Sequence, residues 1–196
     1  EQPAFTVVTP LTNPLGAGGQ AQVSLEETHL SPFALGGPLI AIGKPGELPE
    51  LGASRIFVED SEWQHTVTDL IEKAELVILK PGYSKGVRWE TDQVMRTDNW
   101  KKTVFFIQFG TEKDKDIQRV RYNKFRKMMV ENYRFEFPEF NPKIKFIFFD
   151  ASGEPIWAKN AQAVLDYKNI DRESKWIHAA KTLFPKALNY LSLQQN

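Results

Sequence analysis

Glu90 is a carboxylate placed where an α/β protein concentrates its chemistry. It ends the stretch Ala74 to Glu90, AELVILKPGYSKGVRWE, in which Leu76, Val77, Ile78 and Leu79 form an apolar run without alternation. Such a run reads as a strand buried on both faces, as in a parallel sheet. A Pro-Gly turn, a polar loop and a helix with Trp89 and Glu90 in its first turn are expected to follow. Ligands of open α/β sheets bind beyond the carboxyl ends of the strands. A carboxylate there can stabilise, or attack, the oxocarbenium-like centre formed when a nucleobase or nicotinamide leaves a sugar. Around it, Tyr83 and Trp89 are expected to supply stacking faces for an aromatic base, with Gly82 and Ser84 completing the loop. Arg88 or Lys85 is expected to supply a phosphate contact, with plain surface charges as the alternative for both cations. The plainer alternative is a first-turn glutamate facing the positive end of its helix, worth roughly a few tenths of a kcal/mol.

A second wall for the same pocket is expected from the start of the chain. Phe5 to Pro10 reads as a first strand and is followed by a turn-rich loop containing Gly16, Ala17, Gly18 and Gly19. Glycines at a strand's carboxyl end let backbone N–H groups approach a phosphate. The loop matches neither the dinucleotide fingerprint nor the Walker pattern, so a plain surface loop stands beside the phosphate-cradle reading.

Composition narrows the chemistry. The 196 residues balance 25 Lys and Arg against 25 Asp and Glu, which gives no support for a nucleic-acid partner. The basic cluster Arg119, Arg121, Lys124, Arg126 and Lys127 therefore reads as a solvated helix face. With no cysteine there is no disulfide, thiolate metal site or cysteine nucleophile, which suits a cytoplasmic compartment. His29, His65 and His178 are scattered, no Gly-x-Ser-x-Gly elbow is present, and no metal or resident cofactor is expected. No apolar run reaches the ~18–20 residues that span a bilayer, so membrane attachment is expected only through a segment outside this chain.

The elements alternate. Strands are expected at Phe5–Pro10, Pro38–Ile42, Leu76–Leu79, Thr103–Phe109 and Ile144–Phe149, with Arg55–Val58 a short edge strand or an extended connection. Ser24 with Glu27, and Ser61 with Gln64, have capping-box spacing before helices. The second of these helices carries Trp63, Val67, Leu70, Ile71 and Ala74 on one stripe. A long polar helix over 114–132 has Ile117, Val120, Phe125, Met128 and Met129 as its inner side. The pattern implies a flavodoxin-like three-layer fold with a mostly parallel five-stranded sheet in the order 2-1-3-4-5. Residues 1–150 would form this domain. Residues 151–196, a hairpin strand at Ile156–Lys159 and a terminal helix over 173–193, would be an extension packed on it. In that order the Gly16–Gly19 loop and the Glu90 loop face one crevice.

Several short words in the middle of the chain occur together in order: Ala41-Ile42-Gly43-Lys44-Pro45-Gly46-Glu47, Leu51-Gly52-Ala53-Ser54-Arg55, Asp60-Ser61-Glu62-Trp63-Gln64 and Gly86-Val87-Arg88-Trp89-Glu90. On these, residues 24–110 resemble a family of bacterial proteins that carry transmembrane helices followed by a cytoplasmic α/β domain. That family is similar, distantly, to TIR domains and nucleoside deoxyribosyltransferases. The resemblance implies a nucleotide or NAD ligand and N-glycosidic bond cleavage, with Glu90 at the matching glutamate position. Where the family often has a basic and aromatic motif with a downstream Asp after the first strand, this chain has Thr9-Pro10-Leu11-Thr12-Asn13. The alternative expectation is a non-catalytic sensory or assembly domain that self-associates, with Glu90 held by Arg88 or Arg55.

Overall fold

The structure is a computed structural model that describes residues 4–8, 29–30, 32–33, 39–43, 54–57, 61–108 and 115–168. The expected helix after Ser24, the Gly16–Gly19 loop and the terminal helix over 173–193 lie outside the described residues. The first three strands, β1 (Ala4–Val8), β2 (Leu39–Gly43) and β3 (Ser54–Phe57), are described by backbone and pairing.

Helix α1 (Trp63–Lys73) runs directly into β4 (Ala74–Leu79), because Ala74 turns extended while its N–H still donates to the Leu70 carbonyl. The Ser61/Gln64 capping box does not form: the N-cap is Glu62, with no side-chain cap, and Ser61 sits in the preceding turn. The apolar stripe forms as its spacing dictates, and it is this stripe, with Val67 and Ile71 buried, that anchors α1. Next come α2 (Lys85–Met95), a 3₁₀ segment (Asp98–Lys102), β5 (Thr103–Phe106) and α3 (Lys115–Tyr133). The chain closes its described part with β6 (Phe146–Phe149), β7 (Pro155–Ala158) and α4 (Ala161–Tyr167).

The strands form one mixed sheet of seven, in the order β3-β2-β1-β4-β5-β6-β7. Pairings from β3 through β5 are parallel, whereas β5–β6 and β6–β7 are antiparallel. This corrects the expectation of five mostly parallel strands. The four strands β4 to β7 make a mixed unit, in which β7 pairs antiparallel with β6 as the hairpin strand expected near Ile156–Lys159. The reversal has a visible cause. After α3, residues 134–143 form neither helix nor strand and return the chain to the carboxyl end of β5, where the Ile107 N–H donates to the Lys145 carbonyl at 2.7 Å. β6 then has only the reverse direction open to it.

Both faces of the sheet are covered. Val77, Leu79, Phe105, Ile147 and Phe149 face α1, α2 and α3 through Val67, Val94, Phe125 and Met129. Leu76, Ile78, Val104, Phe106, Phe146 and Phe148 face Leu30, Phe33 and the α4 residues Val164 and Leu165. In α3 the buried residues are Tyr122, Phe125 and Met129. Ile117 and Val120, expected on the inner side, are 45% and 68% exposed, since this helix turns its i, i+3, i+7 stripe at Tyr122 to the core.

Candidate functional site

The carboxyl ends of the two central parallel strands are level, with Val8 of β1 paired to Leu79 of β4. β5 pairs Phe105 with Leu79 and continues past it to Ile107 and Gln108. Strand β1 has β2 on one side and β4 on the other, so the chain departs in opposite directions from this point.

From β4 the chain passes through Lys80, buried Pro81, Gly82 and Tyr83 to Ser84, which is the N-cap of α2. The Ser84 hydroxyl oxygen accepts from the Val87 N–H at 3.2 Å. The helix therefore starts at Lys85, and Glu90 lies in its second turn rather than its first. The macrodipole reading loses its basis, because that effect fades beyond the first turn.

Glu90 belongs to the buried side of α2 with Val87, Thr91 and Val94. Three polar or charged residues are buried among the described residues: Glu90, Thr91 and Thr103. The two threonines satisfy themselves against the backbone, Thr91 donating to the Val87 carbonyl at 2.7 Å and Thr103 to the Asn99 carbonyl at 2.8 Å. Glu90 does not: it is 2% exposed, and its Oε2 has no hydrogen-bond partner among the described residues. Burial without a compensating charge pushes its pKa up to about 8. At neutral pH the group is mostly a neutral acid. It becomes a carboxylate when pH rises or when positive charge arrives beside it.

The neighbours expected around Glu90 are placed differently. At 100° per residue, Arg88 points about 160° away from Glu90, on the exposed side of α2. The Trp89 ring packs on Trp63 of α1, centroids 5.0 Å apart, and the Trp63 ring also lies against Gly86, where an added Cβ would stand 3.4 Å from it. Tyr83 reaches α3, donating its hydroxyl to the Arg121 carbonyl, while the Lys124 Nζ sits 4.7 Å above its ring. Burial raises the pKa of that phenol. Gly82 lies against Val87, to which an added Cβ would come within 3.4 Å. Tyr83 and Trp89 are thus engaged in contacts with neighbouring helices and Arg88 is exposed, whereas Glu90 is buried.

Two further groups lie at the same sheet edge. Gln108, just beyond β5, has a buried Oε1 with no partner among the described residues. Together with Glu90 Oε2 it completes the set of buried, unpartnered side-chain atoms there, and both follow the carboxyl ends of adjacent parallel strands. Lys80, the first residue after β4, is half-buried, and burial lowers its pKa. Sequence reading missed both. The available signal was position alone, a polar residue directly after an apolar strand at its carboxyl end.

Glu90 and Gln108 each keep one buried acceptor oxygen without a hydrogen-bond partner among the described residues. No group of three or more potential metal-binding side chains exists among the described residues. Nor, among those residues, is any helix long and apolar enough to cross a membrane. No family model, curated protein or solved structure matches this chain.

Proposed function

We propose that this domain binds a nucleotide-class ligand at the carboxyl ends of β1, β4 and β5 and that Glu90 acts on its N-glycosidic bond. The carrying observation is the buried Glu90 carboxyl with an unpartnered oxygen beside that edge. The strand order β2-β1-β4-β5 suits a flavodoxin-like reading, in which the β1 switch point is the ordinary ligand crevice, and the likeness to TIR domains and deoxyribosyltransferases rests on the sequence words alone.

The shifted acidity suits this chemistry. A ribosyl-nicotinamide carries positive charge, so its arrival draws Glu90 into the carboxylate form and releases a proton. As the C1–N bond breaks, its electron pair leaves on the nicotinamide, and positive charge develops on the sugar opposite the new carboxylate. Water then adds to C1 and gives up a proton. For an uncharged nucleoside the same residue, still protonated, would instead donate its proton to the departing base.

The test is NAD turnover with wild type and Glu90→Gln side by side, with chromatography of the products. Release of nicotinamide by wild type alone supports the assignment. Release by neither protein, with ligand binding retained, turns the site into a binding pocket without turnover. Release by both removes Glu90 from the reaction.

A second reading, a non-catalytic sensory or assembly domain, draws on the rings of Tyr83 and Trp89, which are occupied in helix packing. Against its simplest form, Arg88 faces away from Glu90, and no ion pair holds that carboxyl among the described residues.

A further inference from the structure

The helices covering one face of the sheet carry opposite charge at their two edges. Helix α1 with its N-cap holds three carboxylates, Glu62, Asp69 and Glu72, and one cation, Lys73, which pairs with Asp69 at 2.7 Å and leaves Glu62 and Glu72 as its uncommitted carboxylates among the described residues. At helical spacing Glu62, Asp69 and Glu72 lie on the side of α1 away from buried Val67 and Ile71. Glu62 and Glu72 are exposed, and the Asp69 side chain is 45% exposed. At the other edge, residues 115–127 hold six cations and one carboxylate.

Between α2 and α3 runs a groove of ≈ 570 Å³ whose lining includes Tyr83, Arg88, Lys124, Met128 and Tyr133. The acids in it are already engaged: Asp92 with Arg96 at 2.8 Å and with the Tyr133 hydroxyl at 2.8 Å, Glu131 with Lys127 at 3.6 Å. Arg88 and Lys124 have no ion pair among the described residues, so the groove keeps an unbalanced positive charge. Val120, 68% exposed, lies on the same outer side of α3 as Lys124 and Lys127.

We propose that the outer face of the α1–α2–α3 layer is a self-association surface, on which the acidic side of α1 from one copy seats against the α2–α3 groove of a twofold-related second copy. Charge complementarity within one chain of zero net charge selects this occupant. Because both edges belong to one layer, a twofold axis satisfies both contacts at once, covers Val120 on each copy, and closes the assembly as a dimer. The surface is separate from the Glu90 edge, which lies under the same helices.

Sedimentation velocity over a range of protein concentrations tests this. Wild type is expected to dimerise with rising concentration, with the dissociation constant growing at least about tenfold between about 0.05 M and about 0.5 M salt. The doubly reversed variants Arg88→Glu/Lys124→Glu and Glu62→Lys/Glu72→Lys, each checked for folding by circular dichroism, should stay monomeric alone. Mixed in equal amounts they should dimerise again, since each reversed groove then meets a reversed helix. A monomeric wild type, a variant that dimerises as wild type does, or a mixture that stays monomeric overturns the proposal. A monomeric wild type that binds polyglutamate overturns it in favour of an acidic partner.

Discussion

Arg88 and Glu90 stand two residues apart on α2 and face opposite ways, the arginine exposed and the glutamate buried. One helix therefore serves two surfaces. Its inner side brings an acid to the sheet edge, and its outer side contributes a cation to the groove with α3. A substitution at one position should leave the other's property intact, which makes the two separable by experiment.

Glu90 should make stability pH-dependent. Its folded pKa, about 8, is raised above the ordinary 4.5, so between these values the folded state binds more protons than the unfolded state. Stability from this group is fully present below about pH 4.5 and is lost as pH rises through 8. Glu90→Gln should flatten that slope and raise stability above pH 8 by about 2–4 kcal/mol. Urea denaturation at a series of pH values reads it directly, and a mutant curve parallel to wild type would contradict the burial assigned here.

Trp63 and Trp89 join α1 to α2 by a tilted ring contact. Trp89→Ala should cost about 2–4 kcal/mol in chemical denaturation, and Trp89→Phe less. A loss below about 0.5 kcal/mol, the range of an ordinary surface substitution, would mean the ring does not anchor the helices.

Gly153, in the β6–β7 turn, has φ of +93°, a conformation that a side chain strains. An added Cβ meets only ordinary contacts, the nearest being Trp100 at 3.5 Å. Gly153→Ala should thus lower stability by about 1–2 kcal/mol through backbone strain alone. Thermal melts showing no change would argue for a different turn.

Tyr122 is 1% exposed and donates its hydroxyl to the Pro138 carbonyl at 2.7 Å. Tyr122→Phe keeps the ring and removes the donor, and should cost about 1–2 kcal/mol. The same change should speed hydrogen exchange in the segment after α3, which then keeps the Arg126 Nε bond to the Phe137 carbonyl as its side-chain tie to that helix.

The apolar runs of β4, β5 and β6 and the stripe of α1 are legible in the sequence because burial dictates composition directly. Direction is not. Phe146 to Phe149 is buried on both faces, so its pattern reads the same whichever way the strand runs, and only the path of residues 134–145 decides. The start of α2 was obscured by Pro81-Gly82, which reads as a longer loop than Ser84 allows. Once the helix begins at Lys85, the spacing Val87, Glu90, Thr91, Val94 already puts the carboxyl on the buried side. The partners of Tyr83 and Trp89 come from α3 and α1, far away in sequence, and local spacing carries no information about them.

The reversal of the sheet between β5 and β6 also gives the molecule two distinct poles. The turn from Asp150 to Glu154 closes at the end opposite Lys80 and Gln108, and Lys168 ties that end together by donating to the carbonyls of Phe149 and Lys101. Asp150 braces the turn with bonds from the Ser152 and Glu154 N–H groups. Attachment to a surface through exposed Ser152 would leave the end that carries Lys80 and Gln108 facing solution.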